Sequence, residues 1–167
     1  MKIDPYKHKE RYLKWKEKVK NGIPGISKFN SDLILQYLQD MEHGINVAAV
    51  SVKGSRSYNR LNNLRDKMLF FSINFKEKYG IDKISDIKEE QLCEFFSEMR
   101  NGTTKRKDGK DYKSISTYVK VFKTFWNWYI KVNKKNGNKT ISNIAESLDT
   151  RDEKPDWVYL TEEQVKK

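Results

Sequence analysis

The sequence predicts an all-α bundle of about five main helices, with a short hairpin or loop before the last long helix. Three observations predict it. Bulky apolar residues recur at steps of three and four in five separate stretches. Gly44, Gly80 and Gly102 each stand just past one of those stretches, where left-handed backbone ends a helix. The chain has 167 residues, 37% of them hydrophobic and 13% aromatic, enough for one core of ordinary domain size plus arms.

The first helix covers 5–20. Pro5 suits an early helical position, and Tyr12, Trp15 and Val19 form a narrow apolar stripe among lysines. Gly22, Pro24 and Gly25 break it. A second helix begins at about Asn30 or Ser31, with Leu33, Ile34, Tyr37, Leu38 and Met41 on one face and Gly44 as its stop. The valine-rich run at 45–53 fits a short strand or a helical turn and is read as a connector. The third helix runs to about Tyr79, with Leu61, Leu64, Met68, Phe71 and Phe75 inward. The fourth starts at a capping-box pattern from Asp86 to Glu89 and buries Leu92, Phe95, Phe96 and Met99. Asp108-Gly109 then marks a tight turn within 103–113.

The fifth helix, 113–134, carries the strongest pattern. Ile115, Tyr118, Val119, Phe122, Phe125, Trp126, Tyr129 and Ile130 form its apolar face. The opposite face holds Lys113, Ser116, Thr117, Lys120, Lys123, Thr124, Asn127 and Lys131, with no carboxylate. Solvated helix faces usually mix signs, so a purely cationic and hydroxyl-bearing face suits phosphates and base edges. A short helical piece around 141–148 is expected to pack on this helix. The charged, Pro155-containing run at 149–156 reads as a linker, and the capping-box pattern from Thr161 to Gln164 starts a helix that is cut at Lys167. A helix begun and then cut indicates a fragment; a frayed tail is the alternative. The organisation expected is therefore a basic helix and linker over 1–26, a helical domain over 27–148, and a linker with the start of a further domain over 149–167.

The formal net charge is +11, from 34 Lys and Arg against 23 Asp and Glu. This balance favours a polyanionic partner over a generally solvated basic surface. Three cationic groups compose the expected surface. One is the polar face of the fifth helix. Another is the turn formed by Lys105, Arg106, Lys107, Lys110 and Lys113, which leads into that helix's positive end. The last is the start of the third helix, where Lys53, Ser55, Arg56 and Ser57 precede Arg60, Asn63 and Lys67 on one side. Two basic helices entered from basic loops can grip a duplex on successive backbone ridges.

Other chemistry is weakly represented. Cys93 stands alone, which excludes an intrachain disulfide, and its position reads as an inert buried thiol. His8 and His43 do not form zinc spacing with it. No phosphate-cradling glycine loop or nucleophile elbow is present, and Glu89 and Glu90 suit the start of a helix. Neither a catalytic site, nor a metal site, nor a cofactor is expected. No apolar run approaches membrane-spanning length, so no membrane partner is expected, and with a DNA partner the expected location is cytoplasmic and nucleoid-associated. Most aromatic residues sit at core spacing, whereas Trp128 and Phe70 are less clearly inward and stay open as stacking platforms.

Four stretches in this order resemble the N-terminal half of tyrosine recombinases of the phage-integrase type, and particularly archaeal integrases. They are 53–61, with Lys53, Gly54, Ser55 and Arg56; 92–99; 105–110 running into 118–129, with Phe125, Trp126, Trp128 and Tyr129; and 157–165. The resemblance covers roughly 27–167 and implies a SAM-like core-binding domain. In that family this domain forms one half of a C-shaped clamp on DNA, with the third and fifth helices as contacting elements. The family's arginines, lysine, histidine motifs and nucleophilic tyrosine all belong to a catalytic domain beyond the linker. The resemblance thus implies double-stranded DNA binding, self-association on DNA, no nucleotide cofactor, and no strand chemistry by this stretch alone. Two other readings stay open: a freestanding helical DNA- or RNA-binding regulator, and a protein-interaction module for an acidic partner.

Overall fold

The computed structural model describes residues 4–47, 54–138, 140–152 and 161. Five α-helices are present among them: α1 (His8–Lys18), α2 (Lys28–His43), α3 (Tyr58–Tyr79), α4 (Glu89–Asn101) and α5 (Ile115–Lys135). The all-α bundle expected from the periodicity is therefore the observed fold. Lys53, most of the 45–53 connector, the linker beyond Asp152 and the helix start after Thr161 lie outside the described residues.

The starts of α2, α3 and α4 follow local hydrogen bonding more than hydrophobic spacing. The Ser27 hydroxyl oxygen accepts from the Asn30 N–H at 3.2 Å and its O–H donates to the Asp82 carbonyl at 2.5 Å. This cap starts α2 at Lys28, slightly before the expected position. Ser57 caps α3 in the same way, accepting from the Arg60 N–H at 3.3 Å. The expected start of the fourth helix at Asp86 is corrected. Asp86 closes a short 3-10 turn, Ile84–Asp86, and buried Ile84 and Ile87 pin that turn to the core. α4 begins only at Glu89, where the Gln91 side chain accepts from the Lys88 N–H at 3.0 Å.

α3 is the hub and packs on α1, α2 and α5. Its Phe71 meets Phe75 of the same helix, Phe95 and Phe96 of α4, and Tyr118 and Phe122 of α5. The Phe71 and Phe122 rings lie 5.3 Å apart, edge to face at 84°. Such pairs each add about 0.5–1.5 kcal/mol beyond simple burial. α1 shares this core through Tyr12 and Val19. The Asn62 side-chain amide ties α1 to α3 by donating to the carbonyls of His8 and Tyr58, each at 2.9 Å.

α5 is buried on more sides than its main apolar face implies. Val121, Trp128 and Val132 form a second inward ridge, and Ser116 is also buried. Trp128 stands against Tyr37 of α2 with ring centroids 5.0 Å apart. Its indole N–H donates to Asp40 Oδ2 at 2.8 Å, so a buried tryptophan has its polar atom satisfied. Trp128 is thus a core residue and not a stacking platform.

Three further expectations are settled by the structure. The turn before α5 is a minimal hairpin: Lys105 and Asp111 pair across it, and Gly109 takes φ +77° at its tip. The 141–148 segment forms turns and no helix, yet it packs on the core through buried Ala145 and Leu148. Cys93 is exposed on α4, not buried, because the apolar neighbours at 92, 95, 96 and 99 turn the other way.

Gly44 ends α2 at φ +71°, and a Cβ there would stand 2.8 Å from the Gly54 carbonyl carbon and from the Ser55 nitrogen. The chain entering α3 presses against this point, and the Arg56 N–H donates to the Met41 carbonyl at 2.9 Å. Gly44→Ala is expected to destabilise the protein by at least about 1–2 kcal/mol from backbone strain alone. Urea denaturation reads this, and unchanged stability contradicts the close approach. Phe122→Ala is expected to lose about 3–5 kcal/mol in the same measurement.

Candidate nucleic-acid interface

The expected cationic residues divide into two groups once their partners are known. Arg56, just before α3, and Arg60 and Lys67 on it form no ion pair among the described residues. Arg60 Nη1 donates to Asn63 Oδ1 at 3.2 Å, which braces the stripe without neutralising it. From Arg60 to Lys67 the stripe rises about 10 Å along the helix. Ser55 is exposed ahead of it, and Ser57 is committed to the cap.

The basic hairpin stands beside this stripe. Its Tyr112 packs on Phe70 of α3 at 5.6 Å, and Phe70 in turn packs on Tyr118 at 5.0 Å. Phe70 is therefore the half-buried seat of the hairpin. Lys67 Nζ lies 4.7 Å from the centre of the Tyr118 ring. Burial is the main cause that pushes the Tyr118 phenol up, and the positive charge of Arg106 on the hairpin opposes it. The α3 stripe and the hairpin thus meet around Tyr118. Lys107, Lys110 and Lys113 are exposed and form no ion pair among the described residues, while Lys105 and Arg106 pair with Asp111 and Asp108.

The polar face of α5 is less open than its sequence implies. Residues 141–152 return along it as a strap. Lys123 Nζ donates to the carbonyls of Glu146 and Leu148 at 3.0 and 3.2 Å. Lys120 pairs with Asp152, and buried Ser116 donates to the same carboxylate. Thr124 uses its hydroxyl on the Lys120 carbonyl at 2.8 Å. Thr117 and Asn127 are half-buried. At the far end, Lys131 donates to the Val47 carbonyl at 3.1 Å and Lys135 holds Asn46. The lysines of this helix therefore anchor neighbouring chain as well as facing solvent.

Lys67 has an unusual setting. Partial burial is the main cause holding its ammonium below the ordinary lysine pKa, and the nearby Arg60 charge adds to it, while Asp66 opposes. A cation strained in this way gains from an incoming anion that restores its neutralisation. Tyr112 and Tyr118 have no sequence signature of a site; only their placement between Phe70, Lys67 and Arg106 gives them one.

No three His, Cys, Asp or Glu side chains gather as a metal site among the described residues, and no helix among them is long and apolar enough to cross a membrane. Family models, curated proteins and solved structures give no match to this chain.

The setting of Lys67 is open to direct measurement. In a carbon-13 NMR titration its side chain is expected to lose its proton at lower pH than the surface lysines. Arg60→Gln is expected to move that midpoint upward, since it removes a like charge. Titration together with the bulk of the lysines contradicts the assignment.

Proposed function

We propose that this chain binds double-stranded DNA as the N-terminal clamp domain of a tyrosine recombinase of the phage-integrase type, and carries out no strand chemistry by itself. One observation carries the DNA reading: Lys67 of α3, which forms no ion pair among the described residues, and the basic hairpin meet around Tyr118. Their ammonium and guanidinium groups suit a run of phosphates, and the rigid aromatic seat beneath fixes their spacing. The integrase part rests on the order of sequence stretches that resemble that family, together with an all-α bundle of the kind the resemblance implies.

In this reading α3 and the hairpin supply the main phosphate-binding groups. Thr117, Thr124 and Asn127 of α5 are assigned to base edges or to the backbone, and Lys120 and Lys123 contribute at the margin. Paired copies on an inverted repeat account for self-association, and a nucleoid location follows from the partner. An intact recombinase supplies its catalytic residues from another domain.

The double variant Arg60→Gln with Lys107→Gln tests this reading. Far-UV circular dichroism is expected to stay unchanged, because neither side chain is buried. Duplex affinity is expected to fall, and the slope of log affinity against log salt to flatten by about 0.9 for each phosphate that is no longer neutralised. Unchanged affinity and slope reject α3 and the hairpin as the binding surface.

A further inference from the structure

The first turn of α5 holds a small anion site that the chain itself occupies. Ser116 Oγ and Lys120 Nζ both reach Asp152 Oδ1, each at 2.8 Å. Ser116 as a residue is only 5% exposed, and its hydroxyl donates to Asp152 in a part-buried contact at the rim of the strap. A hydroxyl and an ammonium converging on one oxyanion make the donor set that a phosphate oxygen also satisfies. The Asp152 side chain, by contrast, is 77% exposed, and a pair of that kind is weak and screened by salt.

The rest of the strap does not depend on this contact. Trp126 Nε1 donates to the Ser142 carbonyl at 2.9 Å, and Arg100 Nη2 donates to the Asp149 carbonyl at 2.7 Å. Lys123 holds the carbonyls of Glu146 and Leu148, while Ala145 and Leu148 are buried. The strap is therefore anchored up to Asp149, and Asp152 is an exchangeable end. Its departure frees the Ser116 hydroxyl and the Lys120 ammonium together, and an incoming oxyanion that takes both donors competes with water for them.

We propose that Ser116 and Lys120 form a phosphate-binding site, and that Asp152 acts as its built-in competitor, held there until a phosphate displaces it. The phosphate source deepens the reading above: on that reading it is the backbone of duplex DNA, so Asp152 sets a threshold for engagement of α5. The anion site itself stands independently of that source.

The first arm of the test uses inorganic phosphate, followed by backbone amide NMR shifts of residues 115–120. Wild type is compared with Asp152→Asn and with Asp32→Asn, which makes the same charge change at a side chain that pairs, among the described residues, with Lys28 on α2. Asp152→Asn is expected to saturate at about two- to fivefold lower phosphate than wild type or Asp32→Asn, as removal of one exposed ion pair allows. Adding Ser116→Ala is expected to abolish that gain. Equal midpoints in the two asparagine variants, or no saturable shift in any protein, overturn the proposal. The second arm repeats the comparison with labelled duplex DNA. A similar gain for Asp152→Asn supports DNA as the phosphate source. A phosphate site that responds to Asp152 while no protein binds duplex supports the anion site and overturns the DNA reading.

Discussion

The interlock of α3 with α5 through Phe71 and Phe122 is the contact on which the other features depend. Phe71 is surrounded by rings from three helices, and Phe122 continues the cluster to Phe125 and Trp126. Edge-to-face pairing restricts how these rings slide or rotate past one another, so it fixes helix rotation as well as separation. The rotation of α3 decides where Arg60 and Lys67 emerge. The rotation of α5 decides that Tyr118 lies under Lys67, and that Ser116 and Lys120 face the strap.

The apolar and cationic sides of the molecule are therefore two faces of one arrangement. Phe70 belongs to both: it adjoins Phe71 and Phe95 of the core and also seats Tyr112 of the hairpin. A basic hairpin with only one bridging pair has little stiffness of its own. Its attachment through Tyr112 gives it a defined position beside α3. Preorganisation of this kind lowers the ordering cost of binding a polyanion.

The core was largely legible in the sequence, because Leu61, Leu64, Met68, Phe71 and Phe75, and likewise Leu92, Phe95, Phe96 and Met99, stand at helical spacing and are all buried. The second ridge of α5 at Val121, Trp128 and Val132 was harder to see, since its spacing of seven and four overlaps the polar arc. The start of α4 is hidden in the sequence because the buried 3-10 turn at Ile84–Asp86 has the residue pattern of a capping box. The cationic residues were legible one by one, but their partners were not. Asp152 lies far along the chain from Lys120, and the carbonyls that hold Lys123 carry no side-chain signal. Charge periodicity shows a basic face on α5; only tertiary contacts distinguish its anchored lysines from Arg60 and Lys67 of α3, which form no ion pair among the described residues.

The central claim is that the cationic surface of α3 and the hairpin, where Arg60, Lys67, Lys107, Lys110 and Lys113 form no ion pair among the described residues, meets duplex DNA. The most direct measurement is a fluorescence-anisotropy titration of the wild-type chain against labelled duplex at several salt concentrations, with single-stranded DNA and RNA as competitors. Duplex-preferring binding that weakens steeply with salt is the result this account predicts. Absence of binding at low salt, or binding that ignores salt and strand type, contradicts it.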